Sequence, residues 1–306
     1  MDPGERYDSP LATRYATPAM VANFGDRRRA LLWRDLWIAL AEAERGLGVP
    51  VSAEQVAALR AARETIDLER VRVLEGKLRH DVMAHIHHFG EVAGAEAAKV
   101  IHLGATSCYV ADNAELVMIR DGLELVMDRL VAALERLAAF AEQHRALATL
   151  AYTHFQPAQL TTVGKRACLW AQDLALDLET LEALRGRLPF RGVKGTTGTQ
   201  ASFLQLFAGD HAKVRALDRE VARAMGFAGS IAVSGQTYTR KIDTWVVSAL
   251  ADVCGSAAKI AVDLRLLAHE REVDEPFEAH QVGSSAMAYK RNPMRSERIC
   301  GIARFV

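Results

Sequence analysis

Three apolar stripes at helical spacing, each much longer than an ordinary globular helix needs, constrain this chain more than any other feature. The longest opens after Asp112 and Asn113, residues that favour helix starts. It places Leu116, Ile119, Leu123, Val126, Leu130, Leu134 and Leu137 on one face up to about His144. At the α-helical rise its span is roughly 45 Å. A second stripe runs from about Thr161 to Arg185. A third, from about Arg240 to Arg271, carries Ile242, Val246, Leu250, Ala257, Ile260, Leu264 and Leu267. Helices this long bury their stripes only against partners of similar length, so the pattern predicts an elongated bundle. A few such helices side by side cannot cover two faces each, which predicts an oligomer.

The N-terminal third reads differently. Arg28 to Leu47 is amphipathic and stops at Gly48 and Pro50, and shorter helical patterns follow at Ser52–Ala62 and Asp81–Gly90. Strand-like alternation never persists, and no repeat of about 20 to 50 residues appears. The expectation is an all-α protein: a small N-terminal helical domain over 1–111, then a long-helix bundle over 112–306. The joints between the long segments, Gly192 to Gly198, Val233 to Tyr238 and Val282 to Pro293, are rich in Gly, Ser and Thr. Loops of that kind at bundle ends are where chemistry sits.

Composition removes several function classes. Lys plus Arg equal Asp plus Glu at 38 each, so no global field draws nucleic acid or an anionic membrane, and neither partner is expected. Charges interrupt the apolar stretches, so a membrane span is not expected either. Cys108, Cys168, Cys254 and Cys300 are far apart with no CxxC pair, and no export leader is visible. Reduced thiols and a cytoplasmic location are the expectation. Phosphate-cradling GxxxxGK[ST] and dinucleotide GxGxxG patterns do not occur, which argues against nucleotide hydrolysis and hydride transfer.

The densest chemistry lies from Gly283 to Glu297 (GSSAMAYKRNPMRSE), where two hydroxyls, cations, an amide and a glycine share one loop. A solvated polar loop before a helix has the same composition. Carbanion-forming reactions need such a set, namely a base for the C–H proton with cations and amide donors for the carboxylate that gains charge.

This loop resembles the SSxMxxKxNP signature of the fumarase, aspartase and argininosuccinate lyase superfamily, whose members release fumarate from long-helix bundles. Within it the chain is most similar to the animal-like adenylosuccinate lyase family. The likeness runs through Thr153-His154-Phe155-Gln156-Pro157-Ala158-Gln159, Lys194-Gly195-Thr196-Thr197-Gly198-Thr199-Gln200 and Arg79-His80-Asp81-Val82-Met83-Ala84-His85, and extends from about Ser9 to the last residue.

The resemblance implies specific roles. Ser284 is the general base, Lys290 with Asn292 stabilises the aci-carboxylate, and Lys290 with the loop amides makes the hydroxyl acidic. His154 is the general acid for the departing nitrogen. His80 works at the phosphate or carboxylate end of the substrate, oriented by Asp81, with Arg79 beside it. Thr106 and Ser107 hold a substrate carboxylate, Arg14 and Tyr15 the phosphate, and Thr153, Gln236, Met287 and Arg298 complete the binding residues. Ala288 stands where close relatives have proline. His85, His87 and His88 raise a zinc reading, but no carboxylate or cysteine completes a ligand set and the family uses none, so no metal or other cofactor is expected.

The implied substrates are adenylosuccinate and the succinylated aminoimidazole carboxamide ribotide (SAICAR). The segments holding Thr106, His154 and Ser284 are implied to meet from three subunits of a homotetramer. Family members continue past the equivalent of Glu297 into a C-terminal helical domain that this sequence does not contain. Three rivals stand beside this reading: an argininosuccinate lyase-like enzyme, a non-catalytic truncated paralogue retained as a scaffold, and a metal-dependent enzyme built on the histidines.

Overall fold

A computed structural model describes residues 7–306. About 64% of it is helical and its only sheet among the described residues has two strands, so the all-α reading holds. A π-helical turn at Leu11–Tyr15 precedes α1 (Pro18–Asn23), α2 (Asp26–Gly46), α3 (Ala53–Ala62), α4 (Leu68–Leu78), α5 (Asp81–Ala93), α6 (Ala95–Ala98) and the 37-residue α7 (Ser107–Gln143). A hairpin of β1 (Ala148–Thr153) and β2 (Gln156–Thr162) leads into α8 (Val163–Arg187). Then come α9 (Ala201–Leu206), α10 (His211–Ala224), α11 (Lys241–His269) and α12 (Met294–Ala303).

Met1–Leu125 with Arg187–Thr239 forms one compact unit, and Val126–Gly186 with Arg240–Val306 another. This division differs from 1–111 and 112–306 because the chain leaves the first unit part-way along α7 and returns to it for Arg187–Thr239. In the first unit α2 is the core helix, with Leu36, Trp37, Leu40 and Ala41 at most 1% exposed. Arg34 is buried as well. Its Nη1 donates to the carbonyls of Ala62, Arg63 and Thr65 at 2.6, 3.1 and 2.9 Å, closing the C-terminal end of α3, while the guanidinium lies over the Phe89 ring. Burial lowers its pKa to about 10, so it remains charged. In the second unit Ala167 and Trp170 of α8 pack against Leu267 of α11, flanked by Leu137, Ala141, Ile260 and Leu264. Trp170 Nε1 donates to Asp263 at 2.9 Å.

Two sequence expectations change. Asp112 and Asn113 do not start α7, which begins at Ser107; both are buried inside it, at 4% and 0% exposure. Their side chains bond loop backbone instead: Asp112 Oδ2 accepts from Tyr238 N, and Asn113 Oδ1 accepts from Arg191 N and Gly192 N. The same short polar geometry that caps a helix here satisfies partners roughly a hundred residues away. The expectation of no bilayer-length segment is also corrected. By length and composition α11 is apolar enough to cross a membrane, although core helices of helical bundles pass the same test.

Candidate active site

In the first unit the structure joins two of the predicted binding residues. Thr106 immediately precedes α7 and Ser107 is its first residue, so both hydroxyls sit at a helix N-terminus with no acidic residue in the first turn. The dipole and first-turn amides of a helix N-terminus favour an anion such as a carboxylate. Gln236 Nε2 donates to Thr106 Oγ1 at 3.3 Å.

Two buried cations that sequence reasoning missed hold the Gln236 loop. Arg191 is fully buried, and its Nε and Nη2 both donate to the Gln236 carbonyl, at 3.0 and 2.5 Å. Its remaining donors reach the carbonyls of Gly192, Lys194 and Gly195. Lys194 Nζ donates to the Arg191 and Ile231 carbonyls at 2.7 and 2.5 Å. Burial lowers both pKa values, opposed by the carboxylates of Asp112 at Arg191 and Asp218 at Lys194. Gly198 shows how close these loops come: at φ +79° a Cβ there would lie 1.8 Å from the Ser234 carbonyl oxygen. The Gly192–Gly198 composition was the available signal, but it did not point to the cations beside it.

His80 is exposed and is the N-cap of α5, its Nδ1 accepting from Met83 N at 3.3 Å. That bond needs an unprotonated Nδ1, so the neutral ring carries its proton on Nε2. Asp81 stands beside the ring: its Oδ1 accepts from Val82 N at 2.7 Å and lies 3.5 Å from His80 Nδ1. Arg79 ends α4 in the left-handed region at φ 55°, an uncommon strain for a residue other than glycine. Asp81 and His85 also line a cavity of about 540 Å³ with Trp33, Arg72 and Glu115. His85 packs edge-on against Trp33 and burial lowers its pKa to about 4, while His88 Nε2 accepts from Asp67 N. Arg14 and Tyr15 lie in the exposed Leu11–Tyr15 turn.

In the second unit Ser284 is half-buried and its Oγ accepts from the backbone N–H groups of Ala286 and Met287, at 3.3 and 3.2 Å. Two amide dipoles aimed at one hydroxyl oxygen favour its anion over the neutral hydroxyl. Asn292 closes this loop, Nδ2 donating to the Gly283 carbonyl at 2.9 Å. Glycine is required at 283, where a Cβ would lie 2.0 Å from the Lys290 carbonyl oxygen. Met287, Lys290 and Arg298 are exposed, the last on α12.

His154 is neither buried nor at a helix start. With Phe155 it forms the two-residue turn of the hairpin, between the paired Thr153 and Gln156. Both turn residues have positive φ, 53° and 58°. Two-residue turns of this hand favour Asn-Gly, so His-Phe stores backbone strain of about 1–2 kcal/mol per residue at an exposed tip. Thr153 ends β1 beside it. The absence of an Asn-Gly signal is why the hairpin was not legible in the sequence.

A family model described as a lyase matches residues 12–306. Adenylosuccinate lyase of Schistosoma mansoni is 50% identical over all of this chain, which spans 64% of that protein. Adenylosuccinate lyase of Saccharomyces cerevisiae is 52% identical over 98% of the chain, covering 63% of its own length. Among solved structures, 3-carboxy-cis,cis-muconate lactonizing enzyme from Pseudomonas putida superposes with a TM-score of 0.82 at 27% identity, over 97% of this chain and 66% of its own. A fumarate lyase from Mesorhizobium sp. BNC1 superposes at 0.78 and 27% identity, over 94% and 62%. With a matching family model over almost its whole length, helices of the kind the family uses and the SSxMxxKxNP loop in place, the chain belongs to the lyase family of the fumarase/aspartase superfamily.

Proposed function

We propose that this chain is the greater part of an adenylosuccinate lyase of purine biosynthesis. It cleaves adenylosuccinate to AMP and fumarate, and SAICAR to the aminoimidazole carboxamide ribotide and fumarate. The observation that carries the reading is the Ser284 oxygen held by two backbone amides in a loop closed by Asn292. The likeness to proteins named adenylosuccinate lyase, at 50% and 52% identity, supports the choice of substrate.

Ser284 Oγ, as the alkoxide, takes the proton from Cβ of the succinyl group. The electron pair left behind enters the adjacent carboxylate as an aci-dianion, which Lys290 and Asn292 stabilise. Its return forms the C=C bond of fumarate and expels the amine nitrogen, which takes its proton from His154. Thr106, Ser107 and Gln236 hold a carboxylate at the start of α7. His80, with Arg79 and Asp81, and Arg14 with Tyr15 serve the phosphate end; Thr153, Met287 and Arg298 complete the pocket. No metal or other cofactor enters these steps.

The enzyme works as a cytoplasmic homotetramer with composite sites. Large apolar side chains left exposed on the long helices support assembly: Phe140, Leu176, Trp245, Val247 and Val262 are 39–55% exposed, and Phe155 at the hairpin tip is 78% exposed. The test is fumarate formation by the full-length protein, offered adenylosuccinate and argininosuccinate separately. Turnover of the purine substrate alone is the expected result. Turnover of argininosuccinate alone, or of neither, contradicts the assignment.

A further inference from the structure

The second unit contains an acidic residue, Glu272, that touches both strand and helix around His154. Glu272 Oε2 accepts from Thr149 Oγ1 at 2.9 Å and from Arg166 Nη1 at 3.2 Å, and Oε1 accepts from Tyr152 OH at 3.1 Å. Thr149 and Tyr152 belong to β1, and Arg166 to the first turns of α8. Arg166 completes the brace, its Nη2 donating to the Leu150 carbonyl at 2.7 Å. One carboxylate thus gathers the strand that leads to His154 and the helix that follows the hairpin.

Glu272 is itself fixed in place. Past the end of α11, Arg271 turns into the left-handed region at φ 61°. Arg271 N then donates to Ala268 O and Glu272 N to Leu267 O, the paired closure of a Schellman motif. Such a motif usually has glycine at that position, so the chain accepts strain to set the next residue. Burial raises the Glu272 pKa, but the bonds from Thr149, Arg166 and Tyr152 outweigh it and hold the carboxyl below its usual range.

The same strand of chain continues to the other reactive loop. Glu275 accepts from Arg295 N, Ser296 N and Ser296 Oγ at 3.0, 2.7 and 2.6 Å, capping α12 from outside the helix. Phe277 lies under the Arg291 guanidinium and against Gly283, one residue before Ser284.

We propose that Glu272 is the positioning residue for the hairpin that presents His154, and that Arg271–Glu278 is a strap fixing this hairpin and the Ser284 loop to one frame. The proposal rests on the elimination reading for its catalytic consequence, but its structural content is independent of it. A loosened acid donates its proton less often in the transition state without weakening ground-state binding, so the loss falls on kcat.

The test compares full-length protein with Glu272→Gln, Tyr152→Phe and the double variant, by fumarate release and by amide hydrogen exchange. In Glu272→Gln, exchange across Ala148–Thr162 is expected to rise about fivefold or more while α8 and α11 keep their protection. The same variant is expected to lose roughly 10- to 100-fold in kcat with KM changed less than about threefold. Because both residues act through one contact, the double variant loses scarcely more than Glu272→Gln alone. Unchanged hairpin exchange and kcat in Glu272→Gln overturn the proposal, as does an equal loss of protection in α8 and α11, which marks general loosening. If the unaltered protein releases no fumarate, the elimination reading fails, and hairpin exchange alone still decides the positioning claim.

Discussion

Glu44 of α2 is fully buried, and neither carboxylate oxygen has a hydrogen-bond partner among the described residues. Burial alone raises its pKa from 4.5 to about 8. A folded-state pKa above the unfolded one means that the folded protein holds a proton the unfolded chain has released. The stability that Glu44 contributes is therefore complete below pH 4.5 and is lost as pH rises through about 8. At about 1.4 kcal/mol per unit, the interval from pH 5 to pH 7 costs roughly 2 to 3 kcal/mol. Glu44→Gln keeps the shape and abolishes the titration. The unsatisfied amide it introduces adds a constant offset, so the slope against pH is the informative quantity. Urea unfolding at pH 5, 6 and 7 should show the variant gaining on the unaltered protein by roughly 2 to 3 kcal/mol across that range, with equal m values. A difference independent of pH refutes the reasoning, because it means the carboxyl is ionised in the folded state or reached by water.

Other outcomes follow from the same structure. Burial lowers the pKa of both His85 and His102 to about 4, so their contributions are present above pH 6.5 and fade as pH falls through about 4. Set against Glu44, these two histidines place the stability maximum near pH 6.5, which thermal midpoints from pH 4.5 to 8.5 will check. Gly198→Ala forces a Cβ toward the Ser234 carbonyl at positive φ; it should cost about 1–3 kcal/mol by urea unfolding and raise KM by displacing Gln236. Asn113→Ala strips the N–H groups of Arg191 and Gly192 of their buried acceptor. It should destabilise the protein by about 3 kcal/mol in the same assay.

Periodicity revealed what repeats along the chain and little of what closes across it. The apolar stripes of α2, α8 and α11 were legible to within a few residues, because one-sided burial imposes helical spacing on the sequence itself. The start of α7 was misread since Asp112 and Asn113 satisfy distant backbone, a partner that no local pattern discloses. The hairpin was hidden by a His-Phe turn where Asn-Gly is the usual signal. Motif position identified Thr106 and Gln236 separately, and only the structure brings them together across 130 residues. Arg191, Lys194 and Glu272 escaped for a common reason: each acts on backbone or on an adjoining element, and a lone charged residue in a sequence is most often a solvated one.

The most direct measurement is single-turnover fumarate release from adenylosuccinate by the full-length protein, comparing the unaltered enzyme with Ser284→Ala and His154→Ala between pH 6 and 9. If an amide-held Ser284 removes the carbon-bound proton and His154 protonates the leaving nitrogen, each substitution lowers the rate roughly 10²- to 10⁴-fold with substrate binding little changed. A Ser284→Ala protein that releases fumarate at the unaltered rate contradicts the account.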